Sequence, residues 1–432
     1  MREVRTVGAK REVGLWLVVL ILLLGTIPVA RGQQQITLSY WHHIHKPAND
    51  LEARLITEFE SRNPGVRVQV TLIEDADLNT KLLTAMAGGA GPDIFNLFDG
   101  FFTSYVTSGF QAPVDLQVFQ APSYGDLTSR WLRGSLSGYT NRGKIYGIPS
   151  ELSSYGFWIN AKHFQESGLN ADKDAPRTWE DVARVGQKLA RFKGNTLVRK
   201  GYAQSWRFPV RYLIIFDAML RQAGGQIFNA EGTQVLLPSQ PTRKALQTWV
   251  DFVRRSRIDD PALGGGKRAE EEFGAGLASM MGSAGSWFLP LLKEQYPSVA
   301  PDARVIPYPR FRGGPDIASD VYGYAWMVNA HGANQKAAWR FAEFMSSHQR
   351  DYINIGIFHP RLGWFDTPEA KNYPYFQLWV SELSKGSYTP RVVRLEEAAA
   401  VIGRMIERAS IDGADVAKSI DEARQELQKV LR

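Results

Sequence analysis

The chain has 432 residues, no cysteine and a formal net charge of +7. This length is enough for two domains, because single hydrophobic cores stop growing near about 250–300 residues. The lack of cysteine excludes disulfides, thiolate metal sites and a cysteine nucleophile. Residues 1–32 hold five basic and two acidic residues, which leaves +4 on the rest. Since that remainder contains no block of lysine or arginine, we expect no nucleic-acid partner.

The N-terminal segment has the pattern of a secretory signal peptide. Basic residues up to Arg11 precede an apolar run over residues 13–27, and Ala30-Arg31-Gly32 places small residues at a cleavage site. The run is about 15 residues long, shorter than the roughly 20 that span a bilayer. We therefore expect residues 1–32 to be removed rather than to anchor the protein. With no cysteine to carry a lipid, the protein is expected to be secreted and periplasmic.

The next hundred residues alternate between strand and helix patterns. Strands are predicted over residues 36–41, 66–73 and 92–98, with helices beginning near residues 50 and 78. This order predicts a parallel sheet with crossover helices. Ligands of such sheets lie off the carboxyl ends of the strands. The side chains expected at those ends are Trp41, His42, His43, Phe98 and Asp99.

Residues 143–160 are predicted to cross between two bodies. Two apolar runs, 145–148 and 155–159, flank Pro149, which has a fixed φ and no backbone donor. A strand that stops at a proline and presents a carboxylate before the next strand is poorly explained as core. We therefore expect Glu151 and Tyr155 to face a gap between two lobes.

The strand and helix patterns start again after this crossing. Extended, proline-marked residues near 304–308 are a candidate for the return of the chain to the first body, and residues 322–328 form an aromatic strand. Helices are predicted near residues 178–193, 208–221, 241–255, 335–346, 395–408 and 414–431. The two bodies are therefore expected to be discontinuous in sequence, with the crossing strands as a hinge.

The aromatic content, with 12 tryptophans and 16 tyrosines, is a first indication of a ligand. Flat ring faces suit the C–H faces of sugar rings, and nearby carboxylates hydrogen-bond to hydroxyls. For any single tryptophan, core filling is the competing explanation. The aromatic residues expected at strand ends or in loops are Trp41, Trp206, Trp287, Tyr322 and Trp364.

Histidines 42, 43 and 45 form a cluster that resembles a metal site. In a strand His43 and His45 share a face and His42 does not, and two ligands are too few without acidic partners. A stacking or hydrogen-bonding role is therefore expected, and a metal-binding transport protein is kept as an alternative.

Catalytic motifs are missing from the sequence. It contains no G-x-S-x-G, no H-E-x-x-H and no G-x-x-x-x-G-K-[ST]. Asp99 and Glu151 would suit a secreted glycoside hydrolase if they faced each other about 5–10 Å apart. Paired carboxylates are also what sugar binding alone requires, so we expect a protein that is not an enzyme and has no cofactor, with the hydrolase as an alternative.

An ordered set of short motifs resembles the extracellular solute-binding proteins of ABC importers, in the large family that includes maltose-binding protein. Each motif is weak alone, but together they follow the order of the family across nearly all of the chain after the leader. They lie at residues 36–42, 58–68, 88–94 (with Gly-Pro-Asp-Ile), 143–151, 160–164, 176–181 (with Thr-Trp-Glu-Asp), 224–229, 272–280 and 285–287.

The resemblance implies an α/β, two-lobed, type II periplasmic-binding-protein fold, each lobe a mostly parallel sheet flanked by helices. Closure about a hinge is typical of such proteins. It implies an N-terminal lobe of residues 33–148 and 307–346 and a C-terminal lobe of residues 149–306 and 347–432. The implied partners are a small carbohydrate ligand and the permease subunits of an ABC importer, with the protein itself a monomer.

The resemblance also implies a set of ligand-binding residues. Trp206 lies in the wall of the second lobe and Trp287 at a stacking position. Tyr322 and Arg361 lie in segments that often reach the cleft, and the other residues come from the first lobe and the region of the hinge. Trp364 is a weaker candidate. The set is Trp41, His42, His43, Phe98, Asp99, Glu151, Tyr155, Trp206, Trp287, Tyr322 and Arg361.

Overall fold

The computed structural model describes residues 35–229, 232–237, 239–363 and 365–432. The predicted leader and Trp364 lie outside these residues. Within the described ranges, no helix has both the length and the apolar character needed to cross a membrane.

Strands and helices cover most of the described chain. The strands are β1 (Ile36–His43), β2 (Val66–Ile73), β3 (Ile94–Phe98), β4 (Thr140–Asn141), β5 (Lys144–Ile145), β6 (Ile148–Ser154), β7 (Gly156–Asn160), β8 (Arg191–Lys193), β9 (Thr196–Arg199), β10 (Met280–Ala284), β11 (Ala303–Ile306), β12 (Asp320–Val328) and β13 (Ser387–Tyr388). The helices are α1 (Lys46–Arg62), α2 (Asp75–Ala87), α3 (Phe102–Thr107), α4 (Tyr124–Ser129), α5 (Ala161–Glu166), α6 (Trp179–Leu189), α7 (Pro209–Gln222), α8 (Gln240–Arg254), α9 (Ala269–Gly274), α10 (Phe288–Gln295), α11 (Gln335–Ser346), α12 (Gln349–Ile353), α13 (Pro368–Asn372), α14 (Phe376–Lys385), α15 (Leu395–Glu407) and α16 (Val416–Val430).

The larger sheet has the order β13-β12-β3-β1-β2, and β6 also pairs with β12, over residues 321–326. Strand β1 runs parallel to both β2 and β3, with helices α1 and α2 as the crossovers. This is the parallel arrangement predicted for the start of the chain. Strand β12 runs antiparallel to β3 and to β6. The carboxyl ends of β1 and β3 therefore meet at one edge of this sheet.

The smaller sheet has the order β10-β7-β11, and both pairings are antiparallel. This differs from the mostly parallel sheet expected for each lobe. Strands β10 and β11 do run in the same direction and are joined through helix α10, as a strand-helix-strand pattern indicates. Strand β7 lies between them and runs the opposite way, and the local pattern of a strand does not encode its direction.

The chain passes from the larger to the smaller sheet at Tyr155, between β6 and β7. The prediction that the strand stops at Pro149 is corrected, because β6 continues through it to Ser154. A register shift opposite Pro149, between Tyr324 and Ala325 of β12, accommodates the proline, which has no backbone N–H to donate to the neighbouring strand. The chain returns to the larger sheet between β11 and β12. Strand β6 thus pairs within the larger sheet, although the predicted division assigns it to the other lobe.

Gly156, the first residue after this passage, lies where a side chain has no room. A Cβ there would meet Trp379 Cη2 at 2.5 Å and Val305 Cγ1 at 2.8 Å, and Trp379 is 2% exposed. Replacing Gly156 with alanine is therefore expected to destabilise the protein by about 1–3 kcal/mol, because a close-packed core cannot yield to an added methyl group. Thermal unfolding measures the change.

Gly125 provides the matched control for this substitution. It lies in helix α4, and the nearest atom to an added Cβ is Ser123 Oγ at 3.6 Å. Gly125→Ala is expected to be neutral or slightly stabilising. Equal melting temperatures for the two variants would contradict the tight packing at Gly156.

Candidate functional site

A cavity of about 600 Å³ lies between the larger sheet and helices α7, α9 and α10. This volume falls within the range of about 300–1,000 Å³ typical of small-molecule sites. The side contributed by the larger sheet and by Tyr155 includes His42, His43, Asn96, Phe98, Ser150, Glu151, Tyr155, Tyr322 and Tyr324. The opposite side includes Phe208, Arg211, Ile214, Arg268, Glu270, Trp287 and Phe288.

Aromatic rings line the cavity in a connected series. The His43 ring stacks on Tyr324 with centroids 4.4 Å apart and on His42 with centroids 4.5 Å apart. The Trp287 Nε1 donates a hydrogen bond of 2.6 Å to Tyr322 Oη, which fixes the indole across the cavity. The site therefore offers flat apolar faces whose positions are set by contacts with one another.

Arg211, in the first turn of α7, is the charged group that joins the two sides. Its Nη1 donates to Tyr155 Oη at 2.5 Å and to the Ser283 carbonyl at 2.8 Å. The guanidinium lies 5.3 Å from the centre of the Tyr155 ring and 5.8 Å from the Trp287 ring. Its Nη2 is 3.5 Å from Glu270 Oε1, so its charge is already balanced.

Glu151 lies in β6, opposite Tyr324 of β12, and is 8% exposed. Burial, and then the charge of Asp75, raises the pKa of Glu151 to about 8, although the Ser153 hydroxyl and the Arg211 charge oppose the shift. Its carboxyl group is therefore mostly protonated at neutral pH in the empty cavity. In this form it can donate as well as accept a hydrogen bond.

Glu151→Gln is expected to make the protein more stable than the wild type at pH 8.5 and not at pH 5. In the wild type the folded-state pKa of Glu151 lies above the unfolded value. The free energy of unfolding is therefore highest at low pH, where the carboxyl group is neutral, and it falls as pH rises from about 4.5 through 8. We expect a gain of about 4 kcal/mol at the higher pH, since the folded-state pKa of about 8 lies about 3.5 units above 4.5 and each unit corresponds to about 1.4 kcal/mol. Melting temperatures at the two pH values measure it. The exposed Glu180→Gln is the control and should keep the wild-type pH dependence.

The three clustered histidines are electrically neutral at pH 7. Burial, followed by the charge of a neighbouring histidine, lowers the pKa of His42, His43 and His45 to about 3. His42 Nδ1 is 2.8 Å from the Asn49 amide nitrogen. In the part of the chain that the structure describes, no group of three or more His, Cys, Asp or Glu side chains is placed to hold a metal ion. Stacking and hydrogen bonding are the contacts that these residues make.

The structure separates four of the predicted ligand residues from the cavity, two of them tryptophans. Trp41 precedes the end of β1 by two residues and packs against the hydrophobic core. Trp206 is 3% exposed, and its Nε1 donates to Asp259 Oδ2 at 2.7 Å. Core packing, the competing explanation for each tryptophan, accounts for the buried Trp206, and the partly buried Trp41 packs against the core.

The other two are the charged residues Asp99 and Arg361. Asp99 is buried behind the end of β3, with its carboxylate 3.6 Å from Arg391 Nη2. Arg361 donates from Nη1 to Ser346 Oγ at 3.1 Å. Because Asp99 does not line the cavity, the structure does not present Asp99 and Glu151 as a facing pair. The remaining seven predicted residues do line it, namely His42, His43, Phe98, Glu151, Tyr155, Trp287 and Tyr322.

Sequence reasoning missed Arg211, Tyr324, Glu270 and Asp75. Tyr324 follows Tyr322 by two residues in a strand, so the alternation of side chains could have placed both on one face. Arg211 is a charged residue among apolar ones in the predicted helix over residues 208–221, which was an available signal. Asp75 accepts a 2.9 Å hydrogen bond from Tyr324 Oη.

Curated relatives match the chain at low identity over most of its length. An arabinooligosaccharide-binding protein of Bacillus subtilis (strain 168) is 21% identical over 72% of this chain and 69% of its own. A multiple sugar-binding protein of Streptococcus mutans is 21% identical over 80% of each chain.

Solved structures with the same fold cover nearly the whole chain. A solute-binding protein of an ABC transporter from Thermotoga lettingae, bound with alpha-D-tagatose, has a TM-score of 0.80 at 20% identity and covers 92% of this chain and 100% of its own. Maltose-bound T. maritima MalE3 has a TM-score of 0.79 at 19% identity, with 91% and 100% covered. These likenesses confirm the predicted α/β, type II periplasmic-binding-protein fold.

The family model of the bacterial extracellular solute-binding proteins matches residues 47–350. The matched region spans well over half of the chain, including strands β3, β6 and β12 and helices α7, α9 and α10 beside the cavity. The chain belongs to the family of bacterial extracellular solute-binding proteins.

Proposed function

We propose that the protein binds a carbohydrate in the cavity and delivers it to the membrane subunits of an ABC importer. The observation that carries the proposal is the series of ring faces around a space of about 600 Å³, interrupted by hydroxyl and carboxyl groups. Sugars have the matching surface, with apolar C–H faces and a rim of hydroxyls. The names of the relatives, which are sugar-binding proteins, support the same ligand class.

The proposed contacts divide by chemistry. Trp287 and Tyr322 offer ring faces, and the hydrogen bond from Trp287 Nε1 to Tyr322 Oη holds the two rings in place. Glu151 hydrogen-bonds to hydroxyls as a neutral acid. The proposed ligand-binding set is His42, His43, Phe98, Glu151, Tyr155, Arg211, Trp287, Tyr322 and Tyr324.

Binding is proposed to close two lobes around the ligand. The passages of the chain between the two sheets, at Tyr155 and between β11 and β12, would serve as the hinge. The ligand shifts the equilibrium only through its preference for the closed form, which the permease would then recognise. The protein would act as a monomer in the periplasm after removal of residues 1–32, without turning over its ligand.

A thermal-shift screen of mono- and oligosaccharides, followed by calorimetry on the hits, tests this function. At least one sugar is expected to raise the melting temperature and to bind with one-to-one stoichiometry. Chromatography of the incubated sugar is expected to recover it unchanged. Stabilisation by peptides or metal ions but by no sugar would overturn the proposed ligand class.

A further inference from the structure

Each positive charge at the cavity already has an acidic partner. Arg211 Nη2 lies 3.5 Å from Glu270 Oε1, and Arg268 Nε lies 3.7 Å from the same oxygen. Lys46 Nζ lies 2.6 Å from Asp50 Oδ2. The neutral histidines add no charge. An anionic ligand would therefore find no unpaired cation among the described lining residues.

The acidic residues at the cavity show the opposite pattern. Among the described residues, Glu74, Asp75, Glu151 and Glu396 all line the cavity, and none of them forms an ion pair. Glu151 is more than nine-tenths buried and lines the cavity, and although the charge of Arg211 acts on its carboxyl group, the two form no ion pair. Ionising a buried acid without a cationic partner is costly, so Glu151 stays neutral unless a ligand supplies the cation.

Asp75 and Glu151 are both neighbours of Tyr324. Glu151 is the direct cross-strand neighbour of Tyr324, and the Tyr324 hydroxyl donates to Asp75 Oδ1 at 2.9 Å. A carboxylate pair beside an aromatic ring suits an alkylammonium group, which gains charge-assisted hydrogen bonds and a cation–π contact. The part of the cavity formed by Asp75, Glu151 and Tyr324 therefore suits a positively charged group.

We propose that the carbohydrate bound here carries a protonated amino group, which Asp75 and Glu151 hold beside the Tyr324 ring. The inference rests on the proposed carbohydrate-binding function and specifies its ligand class. Acidic sugars are excluded by the same charge distribution, and neutral sugars bind less tightly than their amino counterparts.

Binding of such a ligand releases a proton from Glu151. Its carboxyl group is protonated in the empty cavity at pH 7, because its pKa lies near 8. An ammonium group beside it favours the ionised form, so the proton leaves as the ligand binds. The charged and titratable groups that interact electrostatically with Glu151 are Asp75, Asp99, Arg211, Tyr139, Tyr322 and Tyr324.

Calorimetry with matched sugar pairs tests the proposal. The pairs are glucosamine with glucose, galactosamine with galactose, and the corresponding disaccharides in α- and β-linkage. The best amino sugar is expected to bind at least tenfold more tightly than its neutral partner at pH 7 and low salt. Titration in two buffers of different ionisation enthalpy should report release of close to one proton, and the preference should shrink as salt is added.

Substitutions at Asp75 and Glu151 test whether these two carboxyl groups cause the preference for amino sugars and the release of a proton. Glu151→Gln should abolish proton release, and both Glu151→Gln and Asp75→Asn should lower the tenfold preference. The exposed Glu180→Gln should keep both. Circular dichroism and melting temperatures establish that each variant is folded.

The outcomes distinguish the two proposals. A neutral sugar that binds as tightly as its amino partner, or an acidic sugar that binds more tightly than either, overturns the amino-sugar inference and leaves carbohydrate binding intact. Failure of every sugar to bind the folded protein overturns the proposed function itself.

Discussion

Replacing Trp287 with alanine is expected to raise the dissociation constant for the bound sugar about 30–100-fold. Trp287 precedes α10, and its indole projects into the cavity with its Nε1 tied to Tyr322 Oη. One ring face covers roughly 100 Å² of ligand, which at about 25 cal/mol per Å² corresponds to about 2–3 kcal/mol. That free energy converts to the stated change in affinity.

The melting temperature of the unliganded Trp287→Ala variant should change little by comparison. The ring is only partly buried, and the polar group left behind, Tyr322 Oη, can hydrogen-bond to water in the open cavity. Isothermal titration against the best sugar of the screen, with a melting curve of the free protein, measures both quantities.

Trp206→Phe is the matched control for the binding effect. Trp206 is buried outside the cavity lining, and the substitution removes its hydrogen bond to Asp259. The variant should therefore lose stability, by about 1–3 kcal/mol, and keep the wild-type affinity. If Trp206→Phe weakened binding as much as Trp287→Ala, the cavity described here would not be the binding site.

These two tryptophans also show which features of the site a single sequence can and cannot predict. Both were expected at the ends of elements, and the local pattern around each is equally compatible with stacking on a ligand and with core packing. Only the tertiary arrangement, which faces Trp206 towards Asp259 and Trp287 towards Tyr322, decides between them. By contrast, the succession of elements along the chain at the start of the larger sheet, β1-α1-β2-α2-β3, was predicted, because hydrophobic periodicity and helix-ending residues are local signals.

The same reasoning explains the other differences. Asp99 follows β3 as predicted, but its carboxylate turns towards Arg391, a residue almost three hundred positions away. The antiparallel placement of β7 likewise depends on strands that are distant in sequence. Long-range pairing of this kind leaves no trace in a single sequence.

Replacing Lys200 with methionine is expected to destabilise the protein by about 3–5 kcal/mol at pH 7. The side chain is completely buried, with Nζ 2.9 Å from Asp259 Oδ1 and 2.8 Å from Glu272 Oε2. Removing it leaves two carboxyl groups buried without their cation, a change that costs far more than the loss of a surface pair. At about 2–4 °C per kcal/mol, the melting temperature should fall by about 10 °C.

The loss should be larger at pH 8 than at pH 5. Burial raises the pKa of Glu272 to about 7 and raises that of Asp259, and in both cases the charge of Lys200 limits the shift. Without Lys200 both folded-state pKa values rise further above the unfolded values. The variant therefore keeps most of its stability where both acids are protonated and loses it as pH rises through the folded-state pKa values.

Lys81→Met is the matched control, since it removes the same side chain from an exposed pair with Asp77 at 3.1 Å. Its effect should stay within about 1 kcal/mol at both pH values. The triple variant Lys200→Met, Asp259→Asn, Glu272→Gln should recover much of the lost stability, because it leaves no unpaired charge. Since Lys200 lies outside the cavity lining, sugar affinity measured on the folded fraction should be unchanged. A loss for Lys200→Met as small as that for Lys81→Met, or one that does not depend on pH, would show that the two acids are solvated and that the buried cation does not hold them.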